Sequence, residues 1–66
     1  MQLDRADRKL LRALVSNGRA TQQELGDAAG LSPSAAARRQ KALEDAGIVR
    51  GYRADVNLRK LGMGAT

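Results

Sequence analysis

The 66-residue sequence predicts an all-α fold, three short helices followed by one C-terminal β-strand. Three observations predict it. The apolar inventory is leucine and alanine with no Phe or Trp. Helix-capping signals recur along the chain, and Gly30-Leu31-Ser32-Pro33 closes one helix and opens the next without an intervening loop. A chain this short forms one domain at most and buries only roughly 60% of the surface its unfolded form exposes. Tyr52 is the single aromatic residue, so the expected core is Leu3, Leu10, Leu11, Leu14, Val15, Leu25, Leu31, Leu43, Ile48 and Val49 with alanines between them.

The first helix is expected from about Arg5 to Ser16. Asp4 can cap it with Asp7 three residues on, Leu10, Leu11, Leu14 and Val15 recur at helical spacing, and Asn17-Gly18 ends it. Its other face carries Arg5, Arg8, Lys9 and Arg12, read first as a solvated surface and second as one that approaches a phosphate backbone. Thr21-Gln22-Gln23-Glu24 matches the capping box, in which hydroxyl and carboxylate satisfy two backbone amides, and so opens the second helix. That helix runs through Leu25, Ala28 and Ala29 to Gly30, placed where a left-handed C-cap is needed. Gly26 in its middle costs about 1 kcal/mol against Ala, which close approach of the third helix across the turn would explain.

Ser32 then supplies a capping hydroxyl and Pro33 a first helical position where the missing N–H costs nothing. The third helix is expected over about 33–46, with Gly47 as its C-cap. Beyond it Ile48, Tyr52, Ala54 and Val56 share one face of an alternating stretch, which predicts a single extended strand with no hairpin partner, followed by a glycine-containing end at 61–66.

Composition narrows the function. Without Cys or His there is no disulfide, thiolate nucleophile, common zinc ligand or imidazole acid/base, so neither an enzyme nor a metal or other cofactor is expected. No apolar run approaches the roughly 18 residues of a membrane span, and residues 1–15 lack a signal-peptide core, so a cytoplasmic protein with no membrane partner is expected. The net charge of +5 is uneven, +1 through Ala37 and +4 after it, and a basic half implies a polyanionic partner.

At 100° per residue, Ala36, Gln40 and Leu43 share the inner face of the third helix, while Ser34, Arg38, Lys41 and Asp45 lie opposite with Ala37 beside them. Two helices joined by a tight Gly-containing turn, the second presenting small and basic side chains from its N-terminal end, form a helix-turn-helix (winged-helix-like) domain fitted to the major groove of double-stranded DNA. Ser34, Ala37, Arg38 and Lys41 are the expected groove contacts, and Ser32 with the helix N-terminus the expected phosphate contact. Arg39 lies about 60° off the inner face. It either folds back onto an acid such as Glu24, the favoured reading, or reaches a phosphate. Tyr52 is read as packing beside Ile48 ahead of stacking on a base. The alternative function is a protein-interaction or dimerisation module that uses the same fold without DNA readout. RNA binding is disfavoured because single-strand readers stack bases on aromatics.

Along nearly the whole chain the order of residues resembles the N-terminal domain of the Lrp/AsnC family, the leucine-responsive and feast/famine transcription regulators. The matching stretches are LDRADRKLLRAL at 3–14, NGRAT at 17–21, ELGDAAGLSPSA at 24–35, RR at 38–39, LEDAGIVRGYRADV at 43–56 and KLG at 60–62. Ala36 and Gln40 depart from it, standing where the family usually carries bulkier apolar residues, so Gln40 must find a partner for its amide or reach the domain edge. The resemblance implies a DNA-binding domain over 1–49 and a strand and linker over 50–66, leading to an αβ-sandwich that binds small effectors, usually amino acids, and drives oligomerisation. An amino-acid effector is therefore expected only where that second domain is present. Family members dimerise with their linker strands near the two-fold axis, which implies a homodimer or higher homo-oligomer. The lone strand at 50–56, whose amides and carbonyls need partners, points the same way.

Overall fold

The computed structural model describes residues 2–62, and in it the chain folds as α1 (Arg5–Ser16), α2 (Gln22–Ala29) and α3 (Pro33–Asp45). Each N-terminus is closed by its own sequence. Asp4 accepts from the Asp7 amide at 2.8 Å while Asp7 accepts from the Asp4 amide at 3.3 Å. Thr21 and Glu24 close the same reciprocal box on α2, at 3.2 and 2.8 Å. Ser32 Oγ accepts from the Ala35 amide at 3.2 Å, with Pro33 in the first turn.

The α2–α3 turn depends on two glycines for different reasons. Gly30 is in the left-handed region at φ 71°, ψ 34°, with nothing within 4 Å of where a Cβ would stand, so its requirement is conformational. Gly26 is a helical residue whose requirement is space. A Cβ there would run into the carbonyl oxygen of Leu31 and lie 3.2 Å from the Ser32 carbonyl carbon. The expected cause, close approach of the third helix, is thus corrected: the turn's own backbone lies against Gly26, held by the Leu31 amide donating to the Gly26 carbonyl at 2.8 Å. After α3, Gly47 takes φ 78°, and the amides of Gly47 and Ile48 return to the carbonyls of Glu44 and Leu43, each at 3.0 Å, a Schellman closure.

The core is Leu10, Leu14, Leu25, Ala29, Ala36 and Leu43, with Leu3, Leu11, Ala13, Ala20, Leu31 and Val49 partly buried around it. Ala36 is fully buried, as its inward position requires, and Leu10, Leu25 and Leu43 are the large side chains with no exposure. Two expected core residues are not there. Val15 is 88% exposed because it lies 100° round from Leu14, and α2 covers only the Leu10–Leu14 side of α1. Ile48 is 40% exposed, since the Schellman turn brings its amide back to α3 without carrying its side chain under the bundle.

The C-terminal strand is also corrected. No strand occurs among the described residues, and 50–57 are exposed with no regular structure. Alternation alone does not make a strand when no second segment supplies the ladder. The glycine-containing end expected at 61–66 lies outside the described residues beyond Gly62.

The two glycines generate a paired prediction. Gly30→Ala meets only backbone strain and should cost about 1–2 kcal/mol, leaving the fold intact. Gly26→Ala gains helix propensity yet should destabilise more, since the obstructing atoms are backbone that must move. Thermal melts of both variants test the order; a Gly26→Ala chain as stable as the parent would show that the turn is not packed on α2 in this way.

Candidate nucleic-acid interface

The outward side of α3 is open. Ser34, Arg38 and Lys41 are exposed and Ala37 is half-buried, so the side chains expected at the groove do share one surface. Lys41 lies 3.6 Å from Asp45 across one helical turn, both side chains well exposed. Such a surface pair contributes little and is readily exchanged for another anion. Arg38 enters no ion pair among the described residues.

At the N-terminus of α3, Ser32 Oγ is occupied as a cap and lies 3.4 Å from Ser34 Oγ. Two hydroxyls sharing one hydrogen bond leave one hydroxyl hydrogen to donate outward. Pro33 has no amide hydrogen and the Ala35 amide is capped, which leaves the Ser34 amide as the first-turn donor facing solvent. The N-terminal dipole favours an anion at that point.

Arg39 is employed otherwise. Its Nη1 donates to both carboxylate oxygens of Asp4, at 2.8 and 2.7 Å, and to Asp7 Oδ1 at 3.2 Å. The expected fold-back onto an acid is what the structure shows, but the partner is corrected from Glu24 to Asp4 and Asp7, because Glu24 is committed to its own capping box. Asp7 is only 5% exposed and its charge is met by this guanidinium. The same hydrogen bonds hold the Asp4 carboxyl below its ordinary pKa, with the Asp7 amide contributing, and hold Arg39 above its own.

On the other flank, Gln40 resolves its unpaired amide at the domain edge. Its Nε2 donates to the Tyr52 hydroxyl at 2.8 Å, and that hydroxyl donates to Glu44 Oε2 at 2.7 Å. Partial burial pushes the phenol up, and the Glu44 carboxylate adds to the rise against the lowering by Gln40. The Tyr52 ring passes near Gly18 and lines a groove with Leu11, Leu14 and Ile48, so it packs, though it remains 46% exposed. Sequence reasoning did not find the Asp4–Asp7–Arg39 or the Gln40–Tyr52–Glu44 network. Two acids in one capping box was the available signal for the first; nothing in the spacing signalled the second. Gln22 was also missed. As the first residue of α2 it lines a shallow groove with Ala37, Gln40, Lys41 and Glu44, on the flank of the α3 surface.

Comparison with known proteins agrees with this geometry. Residues 3–50 match the family model described as winged helix-turn-helix DNA-binding. Over 62 residues the chain is 45% identical to the leucine-responsive regulatory protein of Rhizobium meliloti, covering 94% of this chain and 40% of that protein. A transcriptional regulator of Neisseria meningitidis, solved as its L-methionine complex, superposes with a TM-score of 0.85 at 48% identity, over 91% of this chain and 39% of its own. AsnC of E. coli superposes with a TM-score of 0.77 at 37% identity, over 94% and 42%. The chain thus spans about two fifths of the length of the relatives it matches.

The Arg39 network predicts an acid-sensitive stability. Because the Asp4 pKa is lower folded than unfolded, its contribution is fully present above the ordinary carboxylate range and is lost as pH falls through the lowered folded value. Melting temperature should hold from neutrality to about pH 5 and fall below it. Asp4→Asn should lower the melting temperature at pH 7 and flatten the acid fall, and Arg39→Met, which strands Asp7, should lower it further. An Arg39→Met chain with parental stability would remove the tether from the account.

Proposed function

The chain belongs to the winged helix-turn-helix DNA-binding family, in its Lrp/AsnC group, and from that membership we propose that α3 reads duplex DNA in the major groove for a transcriptional regulator. The observation that carries this reading is the open α3 surface, on which Arg38, with no ion pair among the described residues, and a loosely paired Lys41 lie beside the small Ser34 and Ala37. In this reading Arg38 forks onto a guanine edge, Ser34 and Ala37 meet base edges, and Lys41 neutralises a phosphate. Ser32 and the first turn of α3 hold the next phosphate. Arg39 is a positioning residue, fixing the angle of α3 against α1, and takes a phosphate only by leaving Asp4.

Residues 1–49 form the reading domain and 50–66 the connection to a second domain, with action in the cytoplasm. The relatives' greater length and the L-methionine complex of the Neisseria protein support an amino-acid effector on that second domain rather than on this one. Self-association through 50–56 would supply backbone partners to a segment that lacks regular structure, and would place two α3 helices roughly 10–10.5 bp apart on a pseudo-palindromic site. Catalysis has no part in the proposal.

Arg38→Ala should weaken binding to a selected site by about 1–3 kcal/mol and relax preference at one base pair, while Lys41→Ala should weaken all duplexes alike and reduce the salt slope by about 1. Titrations against selected and random duplexes at several salt concentrations make the comparison. Equal losses of Arg38→Ala on both duplexes would remove its base-reading role, and salt-independent binding of the parent chain would favour the interaction-module alternative. For the pairing, Val56→Pro should lower self-association in sedimentation while half-site binding persists; a parent chain that stays monomeric at high concentration would reduce 50–56 to a linker.

A further inference from the structure

The outer face of α1 carries four cations that the α3 interface does not use. Arg5, Arg8, Lys9 and Arg12 are all exposed and stand at i, i+3, i+4 and i+7, within about 100° of one another round the helix. Among the described residues none of them enters an ion pair, the acids of the first turn being taken by Arg39. Like charges at these spacings weaken a helix, and an anionic partner would relieve the repulsion. Beside the stripe, Lys9, Arg12, Ala13, Ser16 and Ala28 line a shallow hollow between α1 and α2, where small side chains let another backbone come near.

The stripe cannot serve the duplex that sits on α3. Where α1 meets α3, the contact runs from Asp4 and Asp7 to Arg39. On α1 the stripe is turned about 140° from Asp7, and on α3 the Ser34–Arg38–Lys41 surface is turned by a similar angle from Arg39. The two basic surfaces therefore look away from each other. A membrane surface suits the stripe poorly, because an interfacial helix inserts its apolar face into lipid, and the apolar face of α1 is committed to the core through Leu10 and Leu14.

We propose that the α1 stripe is a second phosphate-backbone site, taking a duplex separate from the one on α3, so that one copy of the domain bridges two DNA segments. This rests on the reading that α3 binds DNA.

The test uses two duplexes of unrelated sequence, one held on beads and one fluorescent and free. The parent chain should carry the fluorescent duplex to the beads, and Arg8→Gln with Arg12→Gln should cut that capture about tenfold while changing binding of a single duplex by less than about twofold. Arg8→Lys with Arg12→Lys, which keeps the charge, should retain capture. The Gln pair should melt no lower than the parent, since neutralising the stripe relieves repulsion, and the Lys pair should melt with the parent, since the charge and helix propensity are kept. Capture unaffected by the Gln pair would mean that a dimer bridges through two α3 helices, and parallel loss of single-duplex binding would place the stripe on the α3 duplex. Either result overturns the inference, as does charge-dependent binding to anionic vesicles with no capture. Tight single-duplex binding without capture overturns it alone; no duplex binding at all overturns the α3 reading and this inference with it.

Discussion

The angle between α2 and α3 depends on one close approach, the Leu31 carbonyl lying where a side chain of Gly26 would be. The contact lets the chain leave α2 at Gly30, pass Leu31 under its own preceding turn, and restart at Ser32 with a cap already in place. A bulkier residue at 26 would lift the turn, and with it the N-terminus of α3, which carries the surface proposed for DNA. Helix propensity argues for alanine at this position by about 1 kcal/mol. The sequence forgoes that gain because the turn geometry needs the space.

A second constraint fixes α3 from its other side. Buried Asp7 would be an uncompensated charge without Arg39, and Arg39 sits on α3 only one residue from Arg38. Adjacent arginines thus have opposite duties set by 100° of helical rotation, one holding the bundle together and one left facing out. The Arg39 guanidinium makes its carboxylate contacts through one nitrogen, Nη1, which serves three oxygens from the two acids of the α1 cap.

The three helices were legible because each boundary is written in local chemistry: Asp4 with Asp7, Thr21 with Glu24, Ser32 with Pro33, and glycines at 30 and 47 that take positive φ. What was not legible depends on tertiary partners. Val15 fits the apolar period of α1 as well as Leu14 does, and only the position of α2 decides that it stays outside. The period-2 pattern after Gly47 describes a strand-capable stretch, but a strand also needs a neighbour, and none is present among the described residues. The outward α3 surface followed from the wheel alone, whereas the partners of Arg39 and Gln40, 35 and 12 residues away, could not.

Gln40 joins these points. A large apolar residue there would pack at the base of α3 and leave the following segment to its own devices. Here the amide instead reaches the Tyr52 hydroxyl, which also binds Glu44, so the chain beyond the Schellman turn is tied to α3 by side chains and not by a ladder. Such a tie holds one point while leaving the backbone amides of the exposed 50–57 stretch available to another strand. It also engages Glu44, which lines the same shallow groove as Lys41, through a neutral donor. The departure at 40 therefore costs apolar packing in a small core and in return leaves Lys41, among the described residues, with only its exposed pair to Asp45, which an outside anion readily displaces.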